Sequence, residues 1–276
     1  MKKKIIDRIL EEIIENFKEY ENLISLTLVG SFANPDKKLE NFNDVDLVFI
    51  LKKITEKDIK KLKKLGKDLK KKYSNTQIGI TYTLKIGPIK ILSKKPKTIM
   101  LHFLVYSKKE YTKYESALTR FSFQHYKPLI GKSLKETNRI KQIKKKDLFN
   151  EIDGIPTMRK WIKTRIAEYI EPTEEGIKIK SIKLTSKQYI ETICYSVLRL
   201  ASNMVRLRGS FVDIDKKMCE EFAKIYQIEL KEFPKEILKL KRKIRKGEKL
   251  STNKITELKN KALKFINQCE DFLSKV

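Results

Sequence analysis

Apolar residues recur with two different periods along the first half of the chain. Between residues 3 and 20, Ile5, Ile6, Ile9, Leu10, Ile13, Ile14 and Phe17 fall at helical spacing with charged residues opposite, which predicts an amphipathic helix. Residues 23–29, Leu-Ile-Ser-Leu-Thr-Leu-Val, alternate and predict a strand that Gly30 ends. Asn34-Pro35-Asp36 marks a turn in the polar loop that follows. Val45 to Leu51 is a continuous apolar run of strand length. Ile59, Leu62, Leu65, Leu69 and Tyr73 predict a helix over 55–73, capped by Thr55 with Asp58 three residues later. Residues 77–92 read as a hairpin: Ile78, Ile80, Tyr82, Leu84 and Ile86 alternate, Gly87-Pro88 turns, and Ile89 and Ile91 resume. Residues 98–106 predict a further strand, so this half is an α/β unit with mixed strands.

The second half changes character. Residues 132–156 are polar and charge-rich and read as a linker. Helical patterns then cover 157–171, 185–208, 213–228, 233–246 and 252–274, punctuated by Pro172, Gly209, Pro234 and Gly247. Trp161 opens this region as a packing residue. The expected class is α+β: a mixed-sheet domain over 1–131, the linker 132–156, and an all-α helical bundle over 157–276 that is a candidate substrate-binding domain.

Composition narrows the setting more than the chemistry. The 276 residues suffice for two domains, and 40% hydrophobic content marks a globular protein. No apolar run approaches the roughly 18 residues of a membrane span. Charges interrupt the basic N-terminus as soon as it turns apolar, unlike a signal peptide. The expected location is cytoplasmic, with no membrane partner. Cys194, Cys219 and Cys269 lie far apart without a CxxC or Cys/His cluster. They therefore read as buried small hydrophobes, not as zinc ligands or a disulfide framework. The net charge of +28, from 63 Lys+Arg against 35 Asp+Glu, favours a polyanionic partner such as a nucleotide or nucleic acid. A general Lys-and-Ile bias produces the same excess, so charge alone does not name the partner. The runs Lys60-Lys61, Lys63-Lys64, Lys70-Lys71-Lys72 and Lys144-Lys145-Lys146 read as solvated faces that together steer a polyanion.

The chemistry concentrates in Leu28-Val29-Gly30-Ser31-Phe32-Ala33 and Asn43-Asp44-Val45-Asp46-Leu47-Val48. A strand that ends at glycine lets backbone approach a ligand closely. Ser31 adds a hydroxyl and an amide, and amides at such a turn cradle phosphate oxygens. Asp44 and Asp46 open the next strand, where a two-residue period points both carboxylates to one face. Two carboxylates there repel unless a cation bridges them. Mg²⁺ suits the pair, because it takes one or two carboxylates together with substrate phosphates.

This pattern resembles the nucleotidyltransferase superfamily that includes DNA polymerase beta. Its signature is a strand ending in Gly-Ser, a loop, and Asp-x-Asp at the start of an apolar strand. The resemblance covers the first 130 residues or so and implies that Gly30 and Ser31 bind the nucleotide while Asp44 and Asp46 are catalytic and hold Mg²⁺. It implies transfer of a nucleoside monophosphate from a nucleoside triphosphate, taken as ATP, to an acceptor hydroxyl with release of pyrophosphate. The branch most similar pairs this domain with a C-terminal helical bundle and acts on aminoglycosides. Lys127-Pro128-Leu129-Ile130-Gly131-Lys132 resembles the segment that leaves its catalytic domain. Tyr189 to Phe211, with Leu198-Arg199-Leu200-Ala201, resembles its bundle helix. The acceptor stays open between a small molecule, a protein and RNA, and so does the oligomeric state.

One departure stands out. The superfamily adds a third carboxylate on a later strand, as metal ligand and general base. The strands over 77–86 and 98–106 contain no Asp or Glu, and His102 stands in the second. His102 is thus a candidate base or a structural residue. Glu151 and Asp153 are candidates from the linker, Arg199 is a candidate phosphate partner or ion-pair member, and His125 a candidate for stacking on a base. The missing acid keeps an alternative in play: an inactive protein of the same fold that binds nucleotide or RNA as a regulator. A ribonuclease bundle is disfavoured, because His102 and His125 are the only histidines and both precede the bundle.

Overall fold

The computed structural model describes residues 2–34, 44–74, 79–87, 98–114, 125–132, 143–150, 154–210, 214–245 and 247–275. Helix α1 (Lys2–Phe17) leads into strand β1 (Leu23–Val29), a 3-10 turn (Gly30–Ala33), β2 (Asp44–Leu51) and helix α2 (Glu56–Lys72). Strands β3 (Gly79–Thr83) and β4 (Thr98–Ser107), helix α3 (Lys108–Tyr114) and β5 (Tyr126–Gly131) follow. The five strands form one sheet in the order β3-β4-β2-β1-β5. β4 runs parallel to β2 and β3, whereas β1 is antiparallel to β2 and β5. The sheet is mixed, as the sequence led one to expect.

Apolar side chains make the middle of this sheet its core. β4 is buried from Ile99 to Ser107, and β2 from Leu47 to Leu51. Phe17 of α1 meets the Phe49 ring edge-on at 5.1 Å, and Phe49 meets Phe103 at 5.6 Å, which ties helix to sheet through aromatic contacts. Gly66 lets α2 lie close over β3: a Cβ there would sit 2.4 Å from the Tyr82 ring.

The capping expectation at Thr55 is met in full. Its side chain accepts from the Asp58 amide, and Asp58 accepts from the Thr55 amide. Tyr20 and Asn22 also donate to Asp58, at 2.6 and 3.0 Å, so this 1% exposed carboxylate is surrounded by donors. Burial pushes the Asp58 carboxyl up, and the hydrogen bonds from Thr55, Tyr20 and Asn22 outweigh it, holding the group below the ordinary carboxylate range. Burial first, then the bond to Asp58, pushes the Tyr20 hydroxyl up to about 12.

The later elements are helices α4 (Lys145–Asn150) and α5 (Ile155–Thr164), strands β6 (Ile166–Thr173) and β7 (Gly176–Lys183), then α6 (Ser186–Leu207), α7 (Lys216–Ile225), α8 (Phe233–Arg245) and α9 (Thr252–Lys275). α5, α7, α8 and α9 all pack on α6. Phe222, Phe233 and Phe265 join in an aromatic cluster with centroids 5.6–5.8 Å apart. Trp161, Cys194, Cys219 and Cys269 are buried, in the packing roles expected of them. No helix among the described residues is long and apolar enough to cross a membrane.

The chain divides into two compact units. One comprises Met1–Glu115, Thr119–Ile140 and Tyr169–Lys180, and the other Ser116–Leu118, Lys141–Glu168 and Ser181–Val276.

Three local expectations change. The helix expected over 157–171 stops at Thr164, where Arg165 adopts a left-handed backbone (φ 58°) and caps onto the Trp161 carbonyl. From Ile166 the chain is a two-stranded hairpin with β7, turning before Gly176 (φ 106°), and most of it, Tyr169–Lys180, belongs to the first unit. Ala167 and Tyr169 are buried on either side of Glu168, a two-residue period that three residues are too few to separate from the end of a helix. Second, of the hairpin expected over 77–92 only the first half is described, and it has a further partner. β3 pairs in parallel with β4, and Ile86 bridges to Ile170. Ile78, Pro88, Ile89 and Ile91 lie outside the described residues, as do Pro35 and Asp36 of the expected turn. Third, the expected linker contains α4, while Glu151 and Asp153 are outside the described residues.

Candidate functional site

The end of β1 and the start of β2 lie side by side. Val29 is the register partner of Asp46 on one side and of Tyr126 in β5 on the other. The chain leaves β1 through Gly30 at φ 75°, a left-handed conformation that favours glycine. Its amide donates to the His125 carbonyl at 3.0 Å, which fixes the turn. A Cβ on Gly30 would stand 3.2 Å from Asp46 Oδ2, so the missing side chain keeps space open directly at that carboxylate. Ser31 follows in the 3-10 turn. Asp44 and Asp46 alternate with buried Val45 and are both half-buried, which places their carboxylates on one face at the strand's opening.

The neighbouring strand supplies a partner. Parallel pairing sets His102 of β4 opposite Asp46 of β2. His102 Nδ1 lies 2.7 Å from Asp46 Oδ1, and Nε2 lies 3.0 Å from the Lys85 carbonyl oxygen. Both ring nitrogens are therefore engaged, and the tautomer decides which of them carries a proton. The ring is 2% exposed, whereas the Asp46 side chain is 17% exposed and stays open to a ligand. The histidine considered as a base therefore has both ring nitrogens occupied in this arrangement. It acts on Asp46, holding the carboxylate in place.

Gly30, Ser31, Asp44, Asp46 and His102 all belong to the first unit. Arg199 belongs to the second, on α6, where it is buried. It shares one face of that helix with Thr192, Ser196, Ser202, Asn203 and Arg206, all buried. Among the described residues, no group of three or more His, Cys, Asp and Glu is placed to hold a metal ion. A magnesium ion that keeps waters and phosphate oxygens as its other ligands fits the pair Asp44 and Asp46, with the space at Gly30 beside them.

Sequence patterns and geometry thus converge on the opening of β2. A structural comparison matches the chain to spectinomycin adenyltransferase AAD(9) from Enterococcus faecialis, solved with ATP and spectinomycin. The match has a TM-score of 0.53 and covers 96% of this chain and 97% of that one, at 13% sequence identity. The fold is that of a nucleotidyltransferase. No family model and no curated protein matches the sequence. In this nucleotidyltransferase fold, the sequence led directly to the β1 end and the Asp-Val-Asp strand. It missed the Asp46–His102 pair, because nothing in either segment reveals which strands become neighbours.

Proposed function

We propose that the chain is a Mg²⁺-dependent nucleotidyltransferase that moves a nucleoside monophosphate from a nucleoside triphosphate, ATP, to an acceptor hydroxyl. The observation that carries this reading is the left-handed Gly30 whose bare Cα faces Asp46 Oδ2. Gly30 and Ser31 bind the triphosphate at the end of β1, and Asp44 and Asp46 hold the metal. Mg²⁺, when bound, supplies the positive charge that offsets charge building on the α-phosphate and on departing pyrophosphate. His102 fixes Asp46 through Oδ1 and so orients the carboxylate toward its ligand. The fold shared with an adenyltransferase solved with ATP supports the nucleotide.

In the double variant Asp44→Asn/Asp46→Asn, ATP-dependent pyrophosphate release should fall by about a thousandfold or more, with the thermal transition retained. The assay is run with Mg²⁺ over a panel of hydroxylated small molecules (spectinomycin included), proteins and RNA 3′ ends. Undiminished release in the double variant would falsify the assignment.

One observation favours a second reading, an inactive nucleotide-binding or RNA-binding regulator. The strand position opposite Asp46 holds an engaged histidine and no carboxylate. Calorimetric binding of ATP and Mg²⁺ without pyrophosphate release across the whole panel selects this reading.

A further inference from the structure

The lysine run at 144–146 has no part in the site above, and two of its members meet a cavity. The second unit contains a cavity of about 290 Å³ near the end of α6. Its floor is apolar, with Leu207, Leu273 and the rings of Tyr226 and Phe272. Lys144, Lys145 and Arg208 line it too, and among the described residues no carboxylate does.

The polar atoms near the floor are already engaged. Tyr226 donates its hydroxyl to the Met204 carbonyl at 2.6 Å and is 1% exposed, so the apolar surface a ligand meets comes from the part-exposed Leu207 and Phe272. Arg208 is exposed beside it. The nearest acid of α4 is also engaged, since Asp147 accepts from the Lys144 amide at 2.7 Å. Three cations therefore converge on an aromatic and aliphatic floor. The volume lies near the lower limit of small-molecule sites, enough for one ring system and one anionic group. An inorganic anion would leave the apolar floor unused, and a neutral ring would leave the cations unused.

We propose that this cavity binds a small organic phosphate bearing one aromatic ring system. The ring lies on Leu207 and Phe272, and the phosphate meets Lys144, Lys145 and Arg208. The site stands apart from the nucleotidyltransferase reading and does not depend on it.

The test is a titration of the full-length protein, ¹³C-labelled at Ile and Leu methyls, with 1-naphthyl phosphate. Saturable shifts are expected at Ile143, Leu207 and Leu273. Separate titrations with 1-naphthol and with inorganic phosphate should each give affinity about tenfold weaker or worse, the loss of one charge-assisted contact set. Arg208→Ala and the exposed pair Lys144→Ala/Lys145→Ala should each weaken 1-naphthyl phosphate by about the same factor. The lysine pair lies on the surface, so its fold is checked by an unchanged methyl spectrum. Absence of shifts at these three residues overturns the proposal. So does 1-naphthol binding as tightly as its phosphate, or affinity unchanged in both charge variants.

Discussion

Two buried polar regions of this protein obey opposite rules. Around Asp58, at the opening of α2, each carboxylate oxygen accepts hydrogen bonds, from Tyr20, Asn22 and Thr55. Along the polar face of α6, the side-chain oxygens of Thr192, Ser196 and Ser202 and both amide atoms of Asn203 are buried without a hydrogen-bond partner among the described residues. Burial is equal in the two places, at 1% exposure or less for Asp58 and for these four α6 residues. Only the pairing differs. A buried polar group left unpaired costs about 1–3 kcal/mol, and a folded domain has about 5–15 kcal/mol in total. The Asp58 cluster thus adds to stability, whereas the unpaired atoms of the α6 face subtract from it.

The contrast can be broken from either side. The largest effect is expected at Asp58→Ala, which removes a helix cap and leaves the donors of Tyr20 and Asn22 without their acceptor. A loss of about 2–4 kcal/mol in urea unfolding is expected. A loss below the cap alone would show that the cluster is not cooperative. Next comes Asn203→Leu, which exchanges two unpaired atoms for apolar ones of similar volume. Stability should rise by about 1 kcal/mol. A fall of that size would show that Asn203 is bonded in solution and would erase the difference between the two regions.

The pH dependence should follow the Asp58 cluster alone. Asp58 titrates lower in the folded chain than the ordinary Asp value of about 3.9. Its contribution is therefore fully present above that value and is lost as pH falls through the folded pKa. Tyr20 titrates at about 12 when folded, so its contribution holds below the ordinary value of about 10 and is lost as pH rises toward 12. Urea midpoints measured at both extremes should be less pH-sensitive in Asp58→Asn than in the parent; equal slopes count against the assignment. The smallest effect is expected at Lys60→Ala. Its bridge to Glu56 is exposed on both sides, and the urea midpoint should not move.

The residues of the candidate site sit between these extremes. Asp46 is satisfied through Oδ1 by His102, as Asp58 is by its donors, but its Oδ2 faces the space at Gly30. One carboxylate has no room beside it for a ligand, and the other has room made by a glycine.

What the sequence determined by itself was local. Spacing alone predicted α1, β1, β2, β4, the later helices, and the Thr55 cap of α2, because each rests on neighbours three or four residues away or on a two-residue period. The Gly-Ser turn and Asp-Val-Asp were legible for the same reason. Tertiary structure alone decided which strands lie side by side. Parallel pairing of β2 with β4 brings together Asp46 and His102, 56 residues apart, and engages a candidate base with a carboxylate. The turn from α5 into β6 was hidden too, since a helix end and a short strand share one apolar pattern until the partner strand is present. Pairing between distant strands depends on register and packing over the whole sheet, and no window of sequence contains it.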